Sequence, residues 1–205
     1  MEKLILPWIQ PIQGEISLYC TRLRNHPMIV NNRMKELELL EGCINGDRLA
    51  QKALYEKYCK AMYTVAYRIT NDFETAQDVL QEGFVKVFKN IDRFRRESTL
   101  GAWIKTIIVR TALSHIRKEV KHESLEPYHT QDLIDWGNHL DTEYLEKAIQ
   151  SLPEGYRAVF VLIEIEGYAH REVAKMLGIS EGTSKSQLYY AKRKLRTTVQ
   201  KLMDV

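Results

Sequence analysis

Apolar positions recur at helical spacing from Lys35 to about Thr70, first as Leu37, Leu40 and Ile44, then as Leu54, Tyr58, Met62, Val65 and Ile69. A period of three to four residues predicts two helices, with a break at Gly46-Asp47. Asn71-Asp72 stands where a third helix needs a cap, and Glu74 falls in its first turn. Its apolar stripe is Ala76, Leu80, Phe84, Phe88 and Ile91, and it should end between Asn90 and Phe94. Ser98 or Thr99 is expected to cap a fourth helix with a stripe of Trp103, Ile107, Leu113 and Ile116, running to about Lys121. On its spacing with Ile107, Trp103 reads as a core residue.

The pattern changes over residues 122–143. Glu123, Glu126, Asp132, Asp135, Asp141 and Glu143 occur there without a single Lys or Arg, and Pro127 and Gly137 interrupt any helix. This predicts a flexible acidic linker. A second helical unit begins at Tyr144; Ser151-Leu152-Pro153-Glu154 has the form of a capping box, and Val159, Leu162 and Ile163 follow at core spacing. Strand-like alternation between turn residues is absent, so the expected class is all-α, with two small helical domains at 34–121 and 144–205. Residues 1–33 show no sustained period and hold three of the five prolines. They read as an N-terminal extension, and Met34 could itself serve as a translation start, which intact-mass analysis would reject by finding Met1 or Glu2 at the terminus.

The sharpest local signal lies between His170 and Arg196. Arg171 to Leu177 predicts a short helix, Gly178 a left-handed residue that ends it, Ile179 an apolar plug and Ser180 the cap of a second helix. The expected buried stripe of that helix is Leu188, Ala191, Leu195 and Val199 or Leu202. A rotation of ~100° per residue puts Thr183, Ser186, Tyr189, Tyr190 and Arg193 opposite the stripe, with Lys185 beside it. Hydroxyls, aromatic rings and cations on the N-terminal half of the second helix are what a recognition helix presents to base edges in the major groove. Lys192, Arg193, Lys194, Arg196 and Lys201 suit phosphates, giving affinity that falls with salt.

Composition narrows the picture little: 205 residues, 44% hydrophobic and 28% charged, with a net charge of +3, describe an ordinary globular chain. Cys20, Cys43 and Cys59 lack any paired spacing, so neither a zinc site nor a disulfide framework is expected, and a reducing cytoplasm fits. The apolar stretch from Leu4 to Trp8 is broken by prolines and falls short of the ~20 residues a membrane span requires, so no membrane insertion is expected.

From about Met34 to the C-terminus the sequence resembles the extracytoplasmic-function (ECF) class of sigma factors, in which regions called two and four are joined by a variable linker. The segment Asp78-Val79-Leu80-Gln81-Glu82-Gly83-Phe84 is similar to the part of region two that binds core RNA polymerase. The resemblance therefore implies core-polymerase contacts at Asp78, Val79, Leu80, Gln81 and Glu82. Phe94-Arg95-Arg96-Glu97-Ser98-Thr99-Leu100, followed by Trp103, resembles the loop and helix that open the downstream promoter element and hold a flipped base. Arg95, Arg96, Ser98, Thr99, Lys105, Arg110, Ser114 and Arg117 are the implied downstream contacts, in keeping with the stacking surfaces and cations a single strand needs; Lys118 and Lys121 add positive charge. The helix-turn-helix at 170–189 implies upstream-element contacts at Thr183, Lys185, Ser186, Gln187, Tyr189, Tyr190 and Arg193.

The implied partners are core RNA polymerase, promoter DNA and an anti-sigma factor; no cofactor or metal is implied. This chain departs from the family pattern with Arg110 where Asn is frequent, Ser114 where Asp is, Ser184 for a usual Val, and Gln187 and Tyr190 for usual basic residues. Its promoter preference should differ accordingly. Ala169 replaces a Ser or Thr cap, leaving the first helix of the motif weaker by ~1 kcal/mol. The acidic linker is expected to occupy a cationic polymerase channel, a hypothesis that charge reversal at Asp132 and Asp135 tests; unaffected initiation would reject it.

Two other readings compete. A free-standing helix-turn-helix regulator accounts for the C-terminal half but not for an acidic helix followed by a cation-rich one, and as a dimer it would need palindromic sites. A metal-dependent enzyme would have to use His122, His129, His139, Asp132 and Asp135, whose spacing is irregular and lacks the i, i+4 geometry of a helical ligand pair. No nucleophile–base signature or phosphate-cradling glycine loop appears, so the chain is not expected to be an enzyme.

Overall fold

The computed structural model describes residues 36–116 and 142–203, and no strand occurs among them. The N-terminal extension, the acidic linker with its histidines, the end of the fourth helix and Arg117 lie outside the described residues. The helices are α1 (Glu36–Ile44), α2 (Arg48–Thr70), α3 (Phe73–Asn90) followed by a 3-10 turn (Ile91–Arg93), α4 (Leu100–Ile116), α5 (Thr142–Gln150), α6 (Glu154–Phe160) continuing as a π-helical turn (Val161–Ile165), α7 (His170–Leu177) and α8 (Glu181–Met203). The described part divides into two compact units. One holds 36–65 and 77–108, the other 66–76, 109–116 and 142–203, so α2, α3 and α4 each contribute to both.

The first unit is built around α3. Val79, Phe84 and Val87 are wholly buried, with Leu54 of α2 and Leu100, Ile104 and Ile108 of α4. Each such side chain contributes roughly 1.5–3 kcal/mol by leaving water. The Tyr55 ring meets Phe84 edge-on, centroids 4.8 Å apart. The expected stripes of α1 and α4 are met only in part: Leu40, Leu113 and Ile116 are buried as expected, and the other members are not. In α1 the buried residues are Leu39, Leu40 and Cys43, while Leu37 and Ile44 are about half exposed, at 52% and 45%. In α4 the inner face is Ile104, Ile108, Val109, Ala112, Leu113 and Ile116. Trp103 and Ile107 are only half-buried, which corrects the reading of Trp103 as core. Apolar residues line most of α4, so spacing alone did not single out the face that packs.

The caps of α3 and α4 are as expected. The Asp72 carboxylate accepts from the Thr75 amide at 2.7 Å and from its hydroxyl at 2.6 Å. The Thr99 hydroxyl accepts from the Ala102 amide at 3.2 Å, so Thr99 and not Ser98 opens α4. The capping box expected at Ser151 does not form. Pro153 is the N-cap of α6, and the Ser151 hydroxyl turns back to donate to the Ala148 carbonyl at 2.7 Å.

In the second unit α8 packs against α5, α6 and α7. Leu188, Ala191, Leu195 and Val199 meet the buried Ala148 and Ile149 of α5, Ala158 and Val159 of α6, and Val173 and Leu177 of α7 in a common core. Arg157 is buried to 6% exposure. Its guanidinium donates to the Leu152 carbonyl at 2.8 Å and to the Ile69 and Thr70 carbonyls at 3.4 and 3.5 Å. Those last two carbonyls belong to the C-terminal turn of α2, which lacks intrahelical donors and favours a cation.

Candidate functional site

On α3, Asp78 and Glu82 are exposed and Gln81 is half-exposed, a polar ridge over an apolar inner face. Glu82 pairs with Lys86 at 2.7 Å. Val79 and Leu80 are 0% and 6% exposed and face the core of the unit. They hold the helix in its unit, and the side chains this segment presents at the surface are Asp78, Gln81 and Glu82.

Between the 3-10 turn and α4, Arg95, Arg96, Glu97, Ser98 and Thr99 are all exposed. Arg96 has φ of 60°, a left-handed backbone uncommon outside glycine and found disproportionately in functional loops. The Phe94 and Trp103 rings lie 5.5 Å apart at 47°, both half-exposed beside the arginines. Two partly exposed aromatic rings, with Arg95 and Arg96 following Phe94 in the chain, offer a surface on which an unpaired base can stack. Further along α4, Lys105 is half-exposed and Arg110 and Ser114 are exposed; the Ser114 hydroxyl is occupied by the Thr111 carbonyl at 2.7 Å.

The helix-turn-helix forms where the sequence places it. Gly178 closes α7 in the left-handed conformation, φ 70° and ψ 34°, and the Ile179 amide donates back to the Ala174 carbonyl at 3.0 Å. The Ser180 hydroxyl accepts from the Thr183 amide at 2.9 Å and caps α8. Ala169 offers α7 no side-chain cap, but its own amide donates to the Glu172 carboxylate at 2.9 Å, one half of a capping box. On the outward side of α8, Lys185 is exposed and pairs with Glu181 at 3.1 Å, while Thr183, Ser186 and Tyr189 are half-exposed and Arg193 is exposed.

Two expected reading residues behave differently. Gln187 is 1% exposed: it lies one helical step from Leu188 and three from Ser184, on the packed face. Tyr190 stacks on Tyr156 of α6, centroids 6.2 Å apart at 23°, while Tyr189 meets its edge at 5.4 Å. Its ring therefore serves the fold at least as much as the surface. The structure also brings in two residues the sequence did not assign. Ser184, wholly buried, lies 3.0 Å from Nδ1 of His170 at the start of α7. Extending the stripe from Leu188 back by four residues reaches Ser184, so its burial was legible, whereas its partner was not.

No group of three or more His, Cys, Asp or Glu side chains able to hold a metal ion occurs among the described residues. Cys43 and Cys59 are buried thiols outside any disulfide, and burial followed by the charge of Asp47 pushes Cys43 up to about 11. Among the described residues no helix is long and apolar enough to cross a membrane.

An all-helical chain with an acidic-ridged helix, an aromatic and cationic loop, and a helix-turn-helix has the parts of a DNA-binding transcription protein. Residues 54–122 match the family described as Sigma-70 region 2, and residues 142–195 match Sigma-70 region 4; together these span more than half of the chain. Among curated proteins it is 27% identical to ECF RNA polymerase sigma factor SigM of Mycobacterium tuberculosis, over 78% of this chain and 82% of that protein. It is likewise 27% identical to RNA polymerase sigma-H factor of Pseudomonas aeruginosa, with 82% and 96% covered, and to ECF RNA polymerase sigma-E factor of Haemophilus influenzae, with 83% and 98% covered. Among solved structures it is similar to the sigma factor RpoE of Bartonella quintana in complex with the anti-sigma factor NepR, at 25% identity over 73% of this chain and 96% of that one, TM-score 0.49. The chain belongs to the sigma-70 family, in its extracytoplasmic-function subfamily. It is an alternative sigma factor, and the free-standing regulator is set aside because both sigma regions are present.

Proposed function

We propose that residues 34–121 dock on core RNA polymerase through Asp78, Gln81 and Glu82 and capture the opened downstream element with Arg95, Arg96, Ser98, Thr99, Lys105, Arg110, Ser114 and Arg117. In the same reading, residues 144–205 read the upstream element as duplex through Thr183, Lys185, Ser186, Tyr189 and Arg193, and residues 122–143 join the two. The observation that carries the second half is the Gly178 to Ser180 turn, which delivers a capped helix with a cationic and hydroxylic outer face. The exposed aromatic and arginine loop at 94–103 supports the first half. The phosphodiester chemistry belongs to polymerase; the chain directs it from the cytoplasm and catalyses nothing itself. An anti-sigma factor is the inhibitor that family membership leads one to expect.

Co-purification with core polymerase followed by run-off transcription from a genomic promoter pool tests this directly. Discrete transcripts that depend on the chain are expected. Replacing Asp78 and Gln81 by alanine should abolish association with core and leave duplex binding intact, whereas Lys185→Ala with Tyr189→Ala should do the opposite. Equal loss of both activities in either folded variant would refute the division.

A further inference from the structure

We infer that His170 is a positioning residue for upstream-element reading, holding the reading end of α8 at a fixed setting against α7 through the hydroxyl of Ser184. The inference rests on the proposed role of α8 as the reader of duplex DNA. Ser184 is wholly buried and stands between Thr183 and Lys185, so any displacement of it carries both outward neighbours along. Over its first two turns the inner face of α8 is polar: Ser184 and Gln187 occupy buried positions, and the apolar run starts only at Leu188 and continues through Ala191, Leu195 and Val199. Apolar packing is non-directional and tolerates sliding, whereas a hydrogen bond weakens steeply outside a narrow range of length and angle. The 3.0 Å contact between His170 Nδ1 and Ser184 Oγ is therefore the directional tie at this end of the motif. It is made from the first residue of α7, where Ala169 supplies no side-chain cap.

The tie is sensitive to protonation. In the neutral tautomer with its proton on Nε2, Nδ1 accepts the Ser184 hydroxyl proton; an imidazolium can only donate, so the hydroxyl has to turn round to accept. Burial, and next the charge of Lys185, lower the histidine below its ordinary range; Glu181 of α8 and Glu164 of the π-helical turn oppose this, and Lys192 of α8 adds to it. Lys185 and Lys192 are themselves paired with Glu181 and Glu164, at 3.1 and 2.8 Å. The neutral form thus prevails near pH 7. A group whose folded pKa is lowered gives its hold in full above its unfolded value and loses it as pH falls through the folded one.

The test uses holoenzyme reconstituted from core polymerase and the full chain. The probes are a promoter fragment recovered by run-off and the same fragment with its upstream element scrambled. The ratio of the two dissociation constants is measured from pH 8 to pH 5.5. In the unaltered protein the ratio should be level down to pH 7 and fall on further acidification. His170→Phe should lower it about tenfold at pH 7.5, the scale of one lost hydrogen bond, and flatten the profile. His170→Asn, whose amide can stand near the Nδ1 position, should restore most of the ratio while staying flat with pH. Ser184→Ala should match His170→Phe, and the double variant should be no worse than either. Helix content and affinity for core, unchanged in each, exclude misfolding as the cause. A His170→Phe protein with the full ratio and an unaltered pH profile would overturn the inference, as would an Asn variant that rescues nothing. Lys185→Ala separates the two levels of the argument. If it leaves the ratio intact, the reading role of α8 falls and this inference with it; if it lowers the ratio while the His170 variants do not, the positioning role alone falls.

Discussion

Gly83 of α3 lies directly against Ile108 of α4, so closely that a methyl group added at the glycine would stand 2.3 Å from the Ile108 Cδ1. Ile108 is wholly buried, so its Cδ1 can make room only by shifting within the packed core. Overpacking a core costs about 1–3 kcal/mol, and the better helix propensity of alanine returns about 1. Gly83→Ala should therefore lower the stability of the first unit by about 1 kcal/mol, read in urea unfolding. Combining it with Ile108→Val, which removes the opposing methyl, should recover part of the loss. A glycine variant more stable than the parent would show that α3 and α4 can separate freely.

Asp72 gives a pH signature in the acid range. Its hydrogen bonds from Thr75 hold the carboxyl below the usual carboxylate value. A depressed folded pKa adds stability above the unfolded value and forfeits it as pH falls through the folded one. Asp72→Ala should cost about 1 kcal/mol at pH 7, the ordinary worth of an N-cap, and the difference from the parent should narrow below about pH 4. A gap that stays constant down to pH 2 would mean that the carboxylate contributes nothing specific to the cap.

Gln187 presents a different balance. Its Oε1 is buried and has no hydrogen-bond partner. A buried acceptor without a donor costs roughly 1–3 kcal/mol, so the near-isosteric Gln187→Met should raise the midpoint of thermal unfolding. Such a gain with unchanged promoter discrimination would mark the amide as incidental. A gain accompanied by weaker discrimination would mark it as part of the polar seam that sets the angle of α8.

Trp103 lies beside Phe94 at the surface, and stacking of a base on an aromatic ring is worth about 1–3 kcal/mol. Trp103→Ala should reduce open-complex formation by about tenfold or more, scored by permanganate reactivity of unpaired thymines, with association to core unaltered. Normal melting in that variant would move the tryptophan back among residues that only support the fold.

Much of the architecture could be read from the residues. The break before Asp47, the Asp72 and Thr99 caps and the Gly178 to Ser180 turn are local features in which one side chain meets the backbone two or three residues away, and such chemistry is written in short stretches of sequence. What failed was the choice of face on helices with apolar residues on most sides. In α4, Trp103 and Ile107 competed with Ile104 and Ile108, and only the packing partners of α3 decided between them. The burial of Val79, Leu80 and Gln187 was missed in a similar way, because a family motif names consecutive positions although a helix exposes only some of them. The His170–Ser184 pair was hidden because its members stand fourteen residues apart on separate helices.

The stacking of Tyr190 on Tyr156 shapes how this protein can diverge. With one tyrosine engaged inside the fold and Gln187 enclosed, the part of α8 free to vary is reduced to a handful of outward positions such as Thr183, Lys185, Ser186 and Tyr189. Replacements at Thr183, Lys185 and Ser186 leave the buried stripe of α8 untouched, so on the proposed reading role of that helix a duplicated copy of the gene could acquire a new set of promoters in few mutational steps while keeping its place on the same polymerase.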